Sequence, residues 1–202
     1  MYTLYYTPGA CSISPHIALR ETGLAFTLDK VDLRAKKTQD GGDFLAVNPS
    51  GYVPALRLPS GEIMTEGAVI VQYLADQAPA AKLAPPAGTM QRYRLMEWMN
   101  FIATELHKGQ SPLLNVLAGD DLKEQLSHKL VKRFHHVAEA MGTNEWLFGS
   151  QFTIVDGYLF YNMRLWQKAV KRELPAELVA YYQRLAARPS IAASLAAEGI
   201  GA

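Results

Sequence analysis

The hydrophobic pattern of this chain changes near residue 80, and this change limits the possible folds more than any other feature of the sequence. Before it, short β-rich runs alternate with turn signals such as Pro8-Gly9 and Pro59-Ser60-Gly61. The β-rich runs cover residues 2–6, 26–33, 53–58 and 63–64, and helical patterns cover about 12–23 and 67–77. A short helix is expected after Gly41-Gly42. This order of elements predicts a small α/β domain over residues 1–80.

Residues 81–89 are rich in proline and alanine and predict an extended linker. After them no strand pattern is found, and apolar residues recur at helical spacing, first at Leu95, Met99, Ile102 and Leu106. Thr153 and Asp156 have the spacing of a capping box at the start of a later helix, with Asp in place of Glu. The sequence therefore predicts a helical bundle over residues 90–202, and an α/β plus all-α fold class for the whole chain.

Composition excludes several classes of protein. Apolar residues make up 49% of the 202 residues, which is enough to bury a core without disulfides. The 20 Lys and Arg against 19 Asp and Glu leave a charge of +1, which argues against binding nucleic acid or a membrane surface. Cys11 is the one cysteine, and the histidines lack a metal-binding spacing, so no disulfide and no metal are expected. No signal peptide or membrane span is recognised, which predicts a cytoplasmic protein.

Cys11 follows the first predicted strand and a Pro8-Gly9 turn, at the start of a predicted helix. A helix N-terminus favours negative charge, so a thiol there ionises more readily, and the thiolate is the reactive form. The alternative is a small buried apolar residue without chemistry.

Two further segments of the first domain are candidates for binding a peptide-like ligand. Pro54 stands between a turn and a strand, where a cis bond would turn the backbone of Val53 out of the sheet. Glu66 and Gly67 precede a helix, so the carboxylate and the free N–H groups could hold an amine and a carboxylate. The alternatives are an ordinary trans strand start and a plain helix cap.

The first helix after the linker carries a polar stripe of Glu97, Asn100, Thr104 and His107, opposite the apolar stripe that begins at Leu95. A polar stripe of this kind is most often a solvated face.

Six motifs in order over nearly the whole chain resemble the glutathione S-transferases, and most of all their bacterial beta class. They are PGACS at 8–12, VDL…KK at 31–37, NPSGYVPAL at 48–56, TEGAVIVQYLAD at 65–76, ELHKG at 105–109 and FTIVDGYLF at 152–160. The resemblance implies a thioredoxin-like N-terminal domain of the order βαβ-α-ββα, a C-terminal helical bundle and a homodimer. It also implies glutathione as the co-substrate.

The resemblance also implies roles for residues of the first domain. Cys11 would face the sulfur of glutathione and could form a mixed disulfide with it. Val53, before a cis Pro54, would pair with the cysteinyl part, and Glu66 and Gly67 would hold the γ-glutamyl end. Many relatives carry Ser where this chain has Gly67, so a hydroxyl contact is lost. The glycyl carboxylate would be bound by Lys36, with Lys37 as the alternative.

In the helical domain the resemblance places the polar stripe against the cleft between the domains. His107 would then hydrogen-bond to Cys11 or to the glutathione sulfur and stabilise a thiolate, and Lys108 would add positive potential. Asn100, Thr104 and Glu105 would reach glutathione, partly across the dimer interface. An apolar pocket for the second substrate could be lined by Tyr158 and Trp166.

The leading hypothesis is a transferase that conjugates glutathione to small hydrophobic electrophiles through a stabilised thiolate, as in detoxification. A second enzymatic hypothesis is a thiol transferase, peroxidase or reductive dehalogenase that acts through a mixed disulfide at Cys11. A hypothesis of another class is a non-catalytic binding or regulatory module on the same fold. The sequence does not identify the electrophile, because apolar pockets encode little specificity.

Overall fold

The computed structural model describes residues 1–201, which form two compact units. The first unit combines residues 1–84 with residues from 188 to 201, and the second contains residues 85–187. The boundary after Ala84 lies inside the predicted linker. The residues from Arg188 onward, which the sequence predicts as part of the helical domain, have most of their contacts with the first unit.

The first unit is built on a four-stranded sheet in the order β2-β1-β3-β4. Its strands are β1 (Tyr2–Tyr6), β2 (Phe26–Lys30), β3 (Ala55–Arg57) and β4 (Ile63–Thr65). β1 runs parallel to β2, with Tyr2 opposite Phe26, and antiparallel to β3, with Tyr5 opposite Ala55. β3 and β4 form an antiparallel pair. Aromatic and β-branched residues favour these extended segments because they pack well on a pleated surface.

Two helices of the first unit, α1 (Ile13–Thr22) and α2 (Gly67–Gln77), match the predicted segments. α1 ends at Gly23, whose φ of 67° is the left-handed conformation that glycine adopts without steric cost. Pro15 lies in the first turn of α1, where its missing N–H would have no partner within the helix. The sheet core includes Tyr5, Val31, Phe44, Val53 and Ala55.

Two predicted elements are shorter than expected. The run predicted to extend to residue 33 ends at Lys30, because the carboxylate of Asp32 accepts hydrogen bonds from the N–H groups of Arg34 and Ala35 and turns the chain. The predicted helix between β2 and β3 is a single 3₁₀ turn, Phe44–Ala46, which begins at a cap where Asp43 accepts the N–H of Leu45. A 3₁₀ turn, Pro79–Ala81, leads into the predicted linker, and Leu83 within the linker is buried.

A third helix of the first unit comes from the end of the chain and is numbered α8 (Pro189–Glu198). It packs against α1. Arg188 donates two hydrogen bonds to the carboxylate of Glu21 at the end of α1, at 2.5 and 2.8 Å. These contacts account for the grouping of the last helix with the α/β unit.

The second unit is all helical among the residues that the structure describes. Its helices are α3 (Met90–Phe101), α4 (Lys108–Gln110), α5 (Asp120–Met141), α6 (Ile154–Lys168) and α7 (Ala176–Ala186), with a π-helical segment over Ile102–His107 and a 3₁₀ turn over Ser111–Leu114. Thr89 caps α3, since its hydroxyl accepts the N–H of Arg92. The predicted apolar stripe is fully buried at Leu95, Met99, Ile102 and Leu106.

The start of α6 contains the predicted capping box. The Thr153 N–H donates to Asp156 at 2.7 Å, and the reciprocal bond from the Asp156 N–H to the Thr153 side chain is also present. Asp156 is fully buried and also accepts hydrogen bonds from the Leu147 N–H and the Tyr181 hydroxyl. Burial raises the pKa of Asp156, while these hydrogen bonds act in the opposite direction. The carboxylate therefore joins the loop before α6 to both α6 and α7.

Across residues 1–201, none of the helices combines the length and the apolar character that a membrane span requires.

Candidate functional site

Cys11 lies in the turn between β1 and α1 and is half-buried. The turn is fixed by Ser12, whose hydroxyl accepts the N–H of Thr7 and lies 3.3 Å from the carbonyl oxygen of the same residue. Thr7 in turn donates its side-chain hydroxyl to the Val31 carbonyl at 2.8 Å. The thiol is thus held on an ordered turn beside the first two strands.

The thiol of Cys11 meets the backbone that precedes β3. Its Sγ lies 3.3 Å from the carbonyl oxygen of Val53, to which it donates. The Val53–Pro54 peptide bond is cis, as predicted. Val53 is buried, with a side chain that belongs to the sheet core. Cys11 and the Val53 backbone, which were predicted separately, are therefore neighbours.

The start of α2 adjoins the same place. A β-carbon built on Gly67 would lie 3.4 Å from Cγ of Pro54, so the first residue of α2 packs directly on the cis proline. Glu66, the N-cap of α2, has a φ of 66°, which is unusual for a residue with a side chain. Its carbonyl accepts the N–H groups of Val69 and Ile70, both at 2.9 Å, and its side chain is exposed and makes no cap hydrogen bond. The Glu66 carboxylate therefore does not act as a plain helix cap.

Lys36 and Lys37 are distinguished by their surroundings. The Lys36 ammonium donates to the Gly51 carbonyl at 2.7 Å and lies 5.5 Å from the centre of the Tyr52 ring. Asn48 holds this loop, donating to the Tyr52 carbonyl and accepting the N–H of Ser50. Lys36 therefore reaches the segment that leads into Val53. Lys37 is exposed, and its backbone pairs with Asp32 and Asp43.

His107 stands at the end of the π-helical segment of the second unit, between two tyrosines of α6. Its Nδ1 lies 2.8 Å from the hydroxyl of Tyr158, and its Nε2 lies 3.3 Å from the hydroxyl of Tyr161. Burial, and to a smaller extent the charge of Lys108, lowers the pKa of His107 to about 4. The imidazole is consequently neutral at physiological pH, so any stabilisation of a thiolate by His107 comes from an N–H donor and not from a cation.

The predicted polar stripe is divided by the π-helical segment. Its i→i+5 hydrogen bonds add a residue to the turn and rotate the side chains that follow, relative to α-helical spacing. Glu97, Asn100 and Thr104 are exposed, whereas His107 is half-buried and contacts two tyrosines of α6. The stripe predicted from α-helical spacing therefore does not hold at its last member.

The other predicted residues of this region have individual partners. Thr104 donates its hydroxyl to the carbonyl of Asn100 at 3.0 Å. Glu105 accepts a hydrogen bond from Arg133 of α5 at 2.9 Å. Lys108 is exposed.

The aromatic pair suggested for the second-substrate pocket has two different environments. Trp166 is only 1% exposed, packs on Phe134 and donates its indole N–H to the Glu173 carbonyl. It is a core residue of the second unit, which corrects its assignment to a pocket wall. Tyr158 is the hydrogen-bond partner of His107.

Sequence reasoning missed a buried acidic residue behind the Cys11 turn. Glu198 of α8 accepts the N–H of Gly9 at 3.0 Å and contacts Nδ1 of His16 at 3.0 Å, and both side chains are inaccessible to solvent. Nε2 of His16 accepts a hydrogen bond from Arg20, so the proton of His16 lies on Nδ1 and is donated to Glu198. No local pattern could have indicated a partner for Gly9 at the far end of the chain.

Among residues 1–201 there is no group of three or more His, Cys, Asp or Glu side chains that could hold a metal ion.

Comparison with known proteins matches both halves of the chain. Residues 10–77 match the N-terminal domain of the glutathione S-transferases, and residues 96–198 match the C-terminal domain. The chain is 46% identical to glutathione S-transferase GstA of Escherichia coli O157:H7 over 199 residues, 98% of each chain.

Solved structures agree with this match. A sphingomonad glutathione S-transferase complexed with glutathione is 41% identical with a TM-score of 0.92, over 98% of this chain and 100% of that one. The bacterial beta class glutathione S-transferase of Sphingomonas chungbukensis is 45% identical with a TM-score of 0.91, over 98% and 99% of the two chains.

Proposed function

Because the chain belongs to the glutathione S-transferase family, we propose that it transfers glutathione to small hydrophobic electrophiles through a stabilised thiolate. The observation that carries the proposal is a juxtaposition in the first unit. The Cys11 thiol, the Val53 backbone and the start of α2 meet around Pro54, with 3.3 Å from Sγ to the Val53 oxygen. A thiol can face the sulfur of a cysteine-containing peptide, and an exposed stretch of backbone can pair with the backbone of that peptide. The N-terminus of a helix can bind its free carboxylate.

Each part of glutathione has a candidate partner. The γ-glutamyl carboxylate would accept the N–H groups at the start of α2, where the helix dipole favours an anion, and Glu66 would bind the amino group. The cysteinyl backbone would pair with Val53. The glycyl carboxylate would bind Lys36, whose ammonium has three donors and commits one of them to the Gly51 carbonyl.

The chemical step needs a thiolate and little else from the protein. The glutathione sulfur loses its proton to the solvent and attacks the electrophilic carbon, so that a C–S bond forms while the leaving group departs with its electron pair. Positioning and stabilisation of the sulfur charge are the contributions that the enzyme can make. This proposal keeps Cys11 and His107 as the candidate catalytic residues, and Asn100, Thr104, Glu105 and Lys108 as candidates for the glutathione-binding set.

The proposal includes a homodimer in the cytoplasm. Both units expose large apolar side chains on helices, Val69 on α2 and Met90, Tyr93 and Met96 on α3, with exposures between 42% and 67%. Exposed apolar side chains of this size are typical of surfaces that bind another protein chain. The cytoplasm is the compartment that keeps a pool of reduced glutathione.

The proposal is tested by turnover of 1-chloro-2,4-dinitrobenzene with glutathione, and by calorimetric titration with glutathione. The two adjacent lysines provide a matched pair of variants. Lys36→Met should weaken glutathione binding by about tenfold, because an ion pair with the carboxylate is lost, whereas Lys37→Met should leave it unchanged. The proposal is wrong if the wild-type protein neither binds glutathione nor exceeds the uncatalysed rate.

Variants of Cys11 separate conjugation from redox chemistry. If Cys11→Ala loses disulfide reduction but retains conjugation, the two activities use different groups, and the glutathione sulfur alone performs the conjugation. Equal loss of both activities in Cys11→Ala, with glutathione binding intact, would show that both activities depend on the Cys11 thiol.

A further inference from the structure

The loop that leads into Val53 is closed by the side chain of Asn48, a residue that is only 5% exposed. Its Oδ1 accepts the N–H of Ser50 at 3.1 Å, and its Nδ2 donates to the Tyr52 carbonyl at 2.7 Å. These partners fix the orientation of the amide, because a backbone N–H only donates and a backbone carbonyl only accepts. The Asn48 carbonyl also accepts the N–H of Gly51 at 2.8 Å. One side chain and its own backbone therefore determine the conformation of this loop.

Lys36 is attached to the same loop at the end of its side chain. The ammonium donates to the Gly51 carbonyl at 2.7 Å and lies 5.5 Å from the centre of the Tyr52 ring. The backbone of Lys36 is fixed as well, since its carbonyl accepts the N–H of the fully buried Phe44 at 2.9 Å. The Phe44 carbonyl in turn accepts the N–H of Asn48 at 2.8 Å. The lysine and the asparagine are thus joined both at their backbones and through the loop.

The position of the Lys36 ammonium depends on this arrangement. A lysine side chain has many rotamers, and ordering it on binding costs conformational entropy. A lysine that is already held in place avoids part of this cost, so that a ligand anion binds more tightly. The Gly51 carbonyl can hold the ammonium only while the loop keeps its conformation, which the two side-chain bonds of Asn48 maintain.

We propose that Asn48 is a positioning residue for glutathione: its side-chain amide fixes the Gly51 carbonyl, and this carbonyl holds the Lys36 ammonium where it binds the glycyl carboxylate. The inference rests on the proposed function, in which Lys36 binds that carboxylate. Every residue that carries it lies in the first unit. Asn48 acts through Lys36, so its contribution is limited to one end of the tripeptide.

This limit separates positioning from a general structural role. A loop that was merely less stable would weaken the binding of every part of the ligand. Loss of positioning weakens only the contact between the ammonium and the glycyl carboxylate. The probe that distinguishes the two is glutathione monoethyl ester, in which the glycyl carboxylate is esterified and carries no charge.

The first experiment is calorimetric titration of wild type and Asn48→Ala with glutathione and with the ester. Wild type should bind glutathione about tenfold more tightly than the ester, because the ester lacks the charged acceptor. Asn48→Ala should bind glutathione several-fold more weakly than wild type and the ester about equally well, so that its preference falls to about threefold or less. An equal loss of affinity for both ligands would overturn the proposal, and so would an unchanged preference.

A double-mutant cycle with Lys36→Met tests whether Asn48 acts through the lysine. Once the ammonium is removed, Asn48→Ala should change the affinity for glutathione by less than about twofold. If Asn48→Ala weakens binding by the same factor with and without Lys36, the asparagine does not act through the lysine and the proposal is wrong.

Two further variants complete the design. Asn115→Ala is the matched control, because the exposed Asn115 accepts the N–H of Leu117 at 2.9 Å in a similar turn of the second unit, and its loss should leave glutathione binding unchanged. Asn48→Ser replaces Asn48→Ala in both experiments if the alanine variant does not fold. Its hydroxyl can accept the Ser50 N–H but is too short to reach the Tyr52 carbonyl, so the same narrowed preference is expected.

The outcomes distinguish this inference from the proposed function. If wild type does not bind glutathione, the proposed function fails and the inference fails with it. If Lys36→Met weakens glutathione binding but Asn48→Ala leaves the preference over the ester intact, the proposed function stands and the positioning role of Asn48 is wrong.

Discussion

Gly67 is the first residue of α2 and lies against Pro54, where a β-carbon would be 3.4 Å from the proline Cγ. This separation is an ordinary van der Waals distance, and the φ of Gly67 is not in the left-handed region. The position therefore has room for a side chain, and its glycine leaves only a backbone N–H to meet a ligand. A small polar residue there would add a hydrogen-bond donor at the helix N-terminus.

We expect Gly67→Ser to bind glutathione at least about tenfold more tightly than wild type, since a hydrogen bond to a charged group is worth roughly 1.5–3 kcal/mol. Isothermal titration gives the affinity. Gly67→Ala has the same β-carbon without the hydroxyl, so it should bind like wild type. If Gly67→Ala gains as much as Gly67→Ser, the gain comes from the backbone and not from the hydroxyl.

His107 makes the stability of the protein depend on pH. Its folded pKa of about 4 is below the ordinary value of 6.5, so the unfolded chain binds the extra proton first. The contribution of the neutral ring is complete above pH 6.5 and is lost as the pH falls from there to 4. It amounts to roughly 3 kcal/mol, at about 1.36 kcal/mol for each pKa unit.

We expect His107→Gln to lose less stability between pH 7 and pH 4.5 than wild type does. Urea unfolding at the two pH values gives the free energies of unfolding. The comparison of the two proteins isolates this histidine, because the other groups that titrate in this range are common to both. One of them is the half-buried Glu21, whose pKa is lowered by Arg188 and Ser190 against the effect of burial. Parallel losses in the two proteins would show that His107 is not the source.

At the scale of single elements, α6 carries two kinds of function. Its first turn is fixed by the buried Asp156 carboxylate, and its middle presents Tyr158 and Tyr161 to His107. If the N-terminus of α6 moved, the hydroxyls of Tyr158 and Tyr161 would move with it, because these residues lie one and two turns further along the same helix. The capping box is thus a condition for the geometry around the imidazole.

We expect Asp156→Ala to lower the free energy of unfolding by roughly 3–5 kcal/mol, because it leaves several buried donors without an acceptor. Chemical denaturation followed by circular dichroism measures the loss. Tyr181→Phe removes only one of these hydrogen bonds, at 2.5 Å, and should cost about 1 kcal/mol. An effect of Asp156→Ala no larger than that of Tyr181→Phe would contradict the role of the carboxylate as the shared acceptor.

A helical wheel does not predict the direction of the side chains in the π-helical segment Ile102–His107. Regular α-helical spacing would place His107 beside the exposed Asn100 and Thr104, whereas the wider turn directs it inward. Segments of this kind are frequent at functional sites, where an altered turn aims a side chain at a ligand or a partner.

At the scale of the whole chain, the two ends of the sequence meet behind the reactive turn. The carboxylate of Glu198 in α8 bonds the Gly9 N–H, two residues before Cys11, across 189 residues of sequence. The same carboxylate accepts a hydrogen bond from Nδ1 of His16 inside α1. The last helix is therefore part of the support of the thiol.

We expect Glu198→Ala to destabilise the protein by roughly 2–4 kcal/mol, since it leaves the Gly9 N–H and a buried imidazole proton unpaired. The looser turn should also make alkylation of Cys11 by iodoacetamide several-fold faster. Glu177→Ala is the control, because that exposed carboxylate pairs with the exposed His135 and its removal should cost well under 1 kcal/mol. An alkylation rate in Glu198→Ala equal to wild type would show that the turn is held by other contacts.

Local sequence patterns were sufficient for the order and type of nearly every element. Turn residues, capping residues and the period of the apolar positions act over a few residues, so Gly23, Thr153 and the stripe at Leu95 could be interpreted from the sequence alone. Strand and helix ends were less accurate where a side chain such as Asp32 bonds to its own backbone. The family resemblance supplied the candidate site residues, one by one.

The sequence by itself determined the two-part architecture, the family and the candidate thiol, because each of these can be recognised from residues that are close together in the sequence. Only the tertiary structure decided that α8 supports the Cys11 turn, that Trp166 lies in the core and that His107 is a neutral ring held by Tyr158. The α8 contact joins groups 189 residues apart, the His107–Tyr158 contact joins groups 51 residues apart, and the position of Trp166 is a matter of burial. Hydrogen bonds and desolvation act through distance in space, for which a local sequence pattern carries no information.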